Sequence, residues 1–107
     1  MAAVVKNYTG LTTTGTFPSV GAPGGVPFSK YAIQAKGVGA APTSWTAILE
    51  GSLDSTNWTT LISHTTPDGS TQFAVDKPAT SVRLNLSTLS LGSATAINVY
   101  IAASSGR

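Results

Sequence analysis

Apolar and polar residues change places at every second position along most of this chain, in runs of four to nine residues broken by turn signals. Nowhere do apolar residues recur at the three-and-four spacing of a helix face over a helical length. Tyr31, Ile33 and Ala35 alternate with Lys30, Gln34 and Lys36, and Trp45, Ala47 and Leu49 alternate with Thr46, Ile48 and Glu50. Val82, Leu84 and Leu86 alternate with Arg83, Asn85 and Ser87, and Ile97, Val99 and Ile101 with Ala96, Asn98 and Tyr100. Such a pattern builds strands with one face inward and one outward. The segments between them carry turn chemistry, as in Asp54-Ser55-Thr56-Asn57 and Pro67-Asp68-Gly69-Ser70. Seven to eight short strands at this spacing predict an all-β antiparallel sandwich, jelly-roll-like.

The 107 residues amount to one domain. Within it, residues 28–107 are expected to form the sandwich core. Residues 1–27 are expected to form an N-terminal arm and a Gly/Pro-rich loop, PSVGAPGGVP at 18–27. Lys77-Pro78-Ala79-Thr80 is expected to break the strand at 71–76.

Several function classes fall away on residue type. The chain has no cysteine, which removes disulfides, thiol catalysis and cysteine zinc sites, and its one histidine allows no histidine pair. His64 reads as an exposed strand-end residue, and no G-x-S-x-G turn announces a nucleophile. Glu50 and Asp54 could be drawn as paired carboxylates, but they read as a solvated strand end and a turn cap. Asp54 with Asn57, or Asp68 with Ser70, offers two oxygens each, too few from one loop for calcium. A calcium ion assembled from several loops stays open. No enzyme, cofactor or metal is expected.

Six cations against four anions leave a net charge of +2, and the cations are scattered in sequence. Nucleic-acid binding needs several of them on one phosphate track, so none is expected. No apolar run reaches the ~18–20 residues of a membrane helix, so no membrane partner is expected. In MAAVVKNYTG the lysine follows the apolar stretch, the wrong order for a signal peptide, so export by its own signal is not expected. The triplets at Asn7, Asn57 and Asn85 then carry no glycosylation meaning.

Charged residues make up only 9% of the chain. Soluble domains average about 25%, and charge is what keeps sheet edges and surfaces apart. A Ser/Thr-rich, charge-poor sandwich is suited to being covered by neighbours. The candidate interface residues are Ala3, Val4, Val5, Phe17, Val20 and Val26. For Val4 and Val5 an inward-packed first strand is the equal alternative.

Residues 44–61, SWTAILEGSLDSTNWTTL, resemble a strand–turn–strand unit of small β-sandwich proteins of tailed bacteriophages. The run Gly51-Ser52-x-Asp54-x-x-x-Trp58 is similar to a hairpin of discoidin-like carbohydrate-binding domains. Val82-Arg83-x-Asn85 and the closing INVYIAA extend the phage resemblance over residues 28–103. In the hairpin, Gly51 relieves the strand, Asp54 and Asn57 shape the turn, and Trp58 is expected as its buried anchor.

The resemblance implies a virion component, assembled in the host cytoplasm and sited on the capsid surface. The implied role is a head decoration (cement) protein whose partners are the major capsid protein and further copies of itself, a trimer being favoured. The alternative is a tail-associated carbohydrate-binding module, with Trp45 or Tyr100 stacking on a glycan, or a minor tail or neck protein. The chain lacks the framing cysteines and clear aromatic sugar platform of the carbohydrate-binding relatives.

Overall fold

The computed structural model describes residues 3–65 and 68–105. Nine strands run through them: Ala3–Leu11 (β1), Gly15–Thr16 (β2), Val20–Gly21 (β3), Phe28–Val38 (β4), Ser44–Ser52 (β5), Thr59–His64 (β6), Thr71–Ala79 (β7), Ser81–Ser90 (β8) and Ala96–Ser104 (β9). One sheet has the order β1-β9-β4-β7. The other has the order β6-β5-β8-β2, with β3 also pairing β8 beside β2. All pairings are antiparallel. The all-β sandwich expected from the alternation is what forms.

The pairing is that of one long hairpin rolled on itself. β5 pairs β6 at the closed end, followed outward by β4 with β7, β2 and β3 with β8, and β1 with β9. Rolling then adds β9 to β4 and β8 to β5. This is jelly-roll winding. Only β5 and β6 are consecutive strands paired with each other, so nearly every other connection crosses between the sheets.

Residues 3–27 do not stand beside the sandwich as an arm and loop. They supply its first three strands, because β1 completes the hydrogen bonds of β9 and β2 and β3 complete those of β8. Tyr8 is buried, and its hydroxyl donates to the Pro18 carbonyl at 2.6 Å, pinning the following loop. Strand β7 also runs past its expected break, to Ala79. Pro78 is tolerated because β7 is an edge strand, and Asp76 takes a left-handed conformation, φ 61°, in an irregular stretch.

The core lies between the middle strands. Ile33 and Ala35 of β4 and Ile97, Val99 and Ile101 of β9 meet Trp45, Ala47 and Leu49 of β5 and Val82, Leu84 and Leu86 of β8. Strict alternation from Tyr31 would turn Phe28 outward. A register shift between Phe28 and Lys30 swings it in, against Tyr31, at a ring-centroid distance of 6.5 Å. Burial pushes the Tyr31 hydroxyl pKa up to about 12; its oxygen sits 2.5 Å from the Lys77 carbonyl.

Gly37, one residue before the end of β4, lies against the turn that follows. A Cβ there would fall on the Ala40 carbonyl oxygen and 2.5 Å from Pro42 Cδ. Neither a backbone oxygen nor a proline ring can swing aside. Gly37→Ala is therefore expected to destabilise by about 1–3 kcal/mol, read as a lower urea midpoint. An unchanged midpoint would mean that the 40–42 turn repacks freely.

Candidate functional site

The end of the sandwich where β5 turns into β6 carries a surface cleft of about 600 Å³. One wall is the turn after Ser52, and its rigidity comes from two short polar side chains. The Asp54 carboxylate accepts from Thr56 N, Asn57 N and Ser52 Oγ on Oδ1, and from Asn57 Nδ2 on Oδ2. Ser52 Oγ in turn accepts from the backbone N–H groups of Asp54 and Ser55. Ser55 adopts φ 61°, and its hydroxyl lies 3.0 Å from that of Ser81 on β8.

Those hydrogen bonds, led by the Asn57 and Thr56 backbone N–H groups, hold the Asp54 carboxyl well below its ordinary 3.8. A depressed folded-state pKa gives stability that is present above 3.8 and is lost as pH falls below it. Asp54→Asn should therefore lower the urea midpoint at pH 7, with the gap from wild type closing as pH falls toward 2. A gap independent of pH would show that the carboxylate's charge is not what holds the turn.

The opposite wall is the end of β7, Lys77-Pro78-Ala79, whose exit is tied to the turn through one residue. Thr80 N donates to the Ser52 carbonyl at 2.9 Å, and Thr80 Oγ1 lies 3.2 Å from the Ser52 and Leu53 carbonyls. Lys77 Nζ donates to the Leu61 carbonyl, so its charge is drawn to the rim. The floor is Gly51, Leu61 and Ala79, packed so closely that a Cβ on Gly51 would lie 2.7 Å from Leu61 Cδ1 and 2.9 Å from Ala79 Cβ. Above it Leu53 stands 71% exposed. The cleft is chiefly apolar and rigid, and it offers no clustered acid or base.

Of the hairpin residues singled out in the sequence, Gly51, Asp54 and Asn57 do meet at this cleft. Trp58 does not act as the buried anchor. It is half-exposed on the outer face, with the Arg83 guanidinium 4.2 Å over its ring. Arg83 Nε also donates to Glu50 at 2.8 Å and Asn85 Nδ2 to the same carboxylate at 3.2 Å. Glu50 and Asp54 are thus held by separate partners. Trp45 is the buried tryptophan, which removes it as a glycan platform; Tyr100 remains half-exposed on the other sheet.

His64 is fully buried, contrary to the exposed strand-end position expected for it. Its ring meets Trp45 edge-on at 4.8 Å, and Nε2 reaches the Ser70 carbonyl at 2.8 Å. The strand end curls under the 68–70 turn, so a polar flanking sequence did not mean exposure. That turn forms as its chemistry suggested: Gly69 has φ 79°, and Asp68 Oδ1 accepts from Gly37 N. Pro67 lies outside the described residues.

The six candidate interface residues divide. Val4, Phe17 and Val20 pack against the core, whereas Ala3, Val5 and Val26 are exposed. Leu53, Lys77 and Pro78 also line the cleft, although the sequence marks the last two only as a strand break and Leu53 not at all. The available signal was Leu53 itself, an apolar residue inside an otherwise polar turn. Among the described residues no three His, Asp or Glu side chains gather as a metal site would require.

Two solved structures share this fold. The SPBc2 prophage-derived protein YomS superposes with a TM-score of 0.56 at 12% identity, covering 94% of this chain and 93% of YomS. The PBSX exported protein XepA gives 0.54 at 17% identity over 98% of this chain. This chain spans only 37% of XepA. No protein-family model matches, and no curated protein matches. At these identities the likeness is one of fold.

Proposed function

We propose that this protein is a structural component of a bacteriophage particle, a decoration protein that docks on the assembled head shell as an oligomer, a trimer being favoured. The observation that carries the proposal is the apolar cleft beside the 52–58 turn, with Leu53 71% exposed at its mouth. A rigid apolar concavity with a polar rim suits an apolar chain segment of a protein partner better than a reactive substrate. The low charge of the chain and its likeness in fold to the prophage-derived protein YomS support the same reading. The carbohydrate alternative is weakened by the burial of Trp45 and the Arg83 cover over Trp58.

The test mixes the purified protein with empty capsids that lack it and measures bound copies by mass photometry. Saturation at a fixed copy number per shell is the expected result. Protein that stays free at every ratio would overturn the proposal.

A further inference from the structure

The β1-β9-β4-β7 sheet has two outer strands, and part of each lacks the devices that usually block edge pairing. On β7 the protective features are crowded into one half: the left-handed Asp76, Lys77 and Pro78. The other half, Thr71–Val75, carries no charge, with Phe73 75% and Val75 55% exposed. On β1 the register is regular from Ala3 to Tyr8 before it shifts toward Leu11. Val5 there is 72% exposed, and the only charge in the stretch is Lys6.

The outward side chains of this sheet line up in rows. Val5 sits beside Ala102, Ala102 beside Ala32, and Ala32 beside Phe73. The row above runs Ala3, Ser104, Lys30, Val75, and the row below Asn7, Tyr100, Gln34, Thr71. Because neighbours alternate in direction across four strands, β7 runs opposite to β1. A second copy continuing the sheet therefore brings its β1 antiparallel to β7, and the rows then extend without a break.

We propose that copies of this chain join head to tail by pairing the Thr71–Val75 edge of one with the Ala3–Asn7 edge of the next. In that register Phe73 faces Val5 of the second copy, Val75 faces Ala3, Gln72 faces Lys6 and Thr71 faces Asn7. Apolar meets apolar on the outward face, and no like charges oppose each other. A two-fold pairing of β7 with itself would leave the β1 edge open, whereas the head-to-tail joint covers both. A heterologous joint closes into a ring when its rotation permits. This inference rests on the self-assembly part of the function proposed above and names the surface that performs it.

The chain has no cysteine, so single cysteines report the joint cleanly. Directly opposed antiparallel residues come within disulfide reach. Val5→Cys and Phe73→Cys, both at exposed positions, are purified separately, mixed under mild oxidation, and compared with each alone. The expected result is a mixed disulfide between the two variants, and a covalently closed small ring from the double variant. Sedimentation of Phe73→Lys should show loss of the oligomer, with its melting temperature unchanged. Preferential cross-linking of Phe73→Cys with itself, a monomer at every concentration, or an oligomer without the mixed disulfide would each overturn the joint. Shells take no part in this experiment, so its failure leaves shell docking standing. Loss of shell docking with the mixed disulfide intact would sink docking alone.

Discussion

Phe28→Ala is expected to remove about 3–5 kcal/mol of stability, the usual cost of emptying a buried phenylalanine site. Domains of this kind hold only about 5–15 kcal/mol in all. Phe28 is fully buried, its ring packs edge-on against Tyr31, and its carbonyl lies 3.1 Å from the Tyr31 hydroxyl. It also sits where the register of β4 shifts, so the cavity cannot be closed by a simple slide of the strand. At roughly 4–8 °C per kcal/mol, the melting temperature should fall by roughly 12–40 °C. Calorimetry decides this. A fall of only a few degrees would mean that the 28–31 corner collapses onto the vacancy and that Phe28 is not the plug at this end of the core.

Leu53→Asp is expected to abolish shell docking while leaving the fold intact. Full burial of a leucine contributes about 1.5–3 kcal/mol, equivalent to roughly 10- to 150-fold in affinity at each contact. An aspartate adds the cost of taking a charge out of water in an apolar cleft. Leu53 is largely exposed in the free protein, and its turn is held by Asp54 and Ser52 instead. Its melting temperature should therefore match that of wild type. Occupancy on capsids measured at equal protein concentration checks the expectation. Wild-type occupancy by Leu53→Asp would move docking away from the cleft.

The extent to which the molecule could be read from its residues varies by element. Alternation in 31–36, 45–50 and 82–87 correctly named the inward side chains of β4, β5 and β8, since both faces of those strands differ sharply in polarity. The Asp54–Asn57 turn was legible because its hydrogen bonds are made within four residues. Of the cleft, only the half built by this hairpin could be seen. Its other wall, Lys77-Pro78-Ala79, is brought there by a crossing between sheets that no local pattern encodes.

The two tryptophans and the histidine show why. Trp45 and Trp58 both sit on strands or at their ends, yet one fills the core and the other lies under Arg83. His64 has polar neighbours in sequence, but an apolar and backbone environment in space. Aromatic size did not decide burial; the position of the residue relative to the opposite sheet did.

The residues alone specify the class of structure: short period-two strands and local Asx-type turns in a cysteine-free chain with few charges. The tertiary structure alone decided which strands stand at the edges, and that Phe73 and Val75 face outward while Ala74 packs in. A period of two distinguishes two faces without saying which one is covered, and the covering comes from distant partners. β9 pairs with β4 and with β1 across most of the chain's length, and only that pairing leaves β1 and β7 as the outer strands of their sheet.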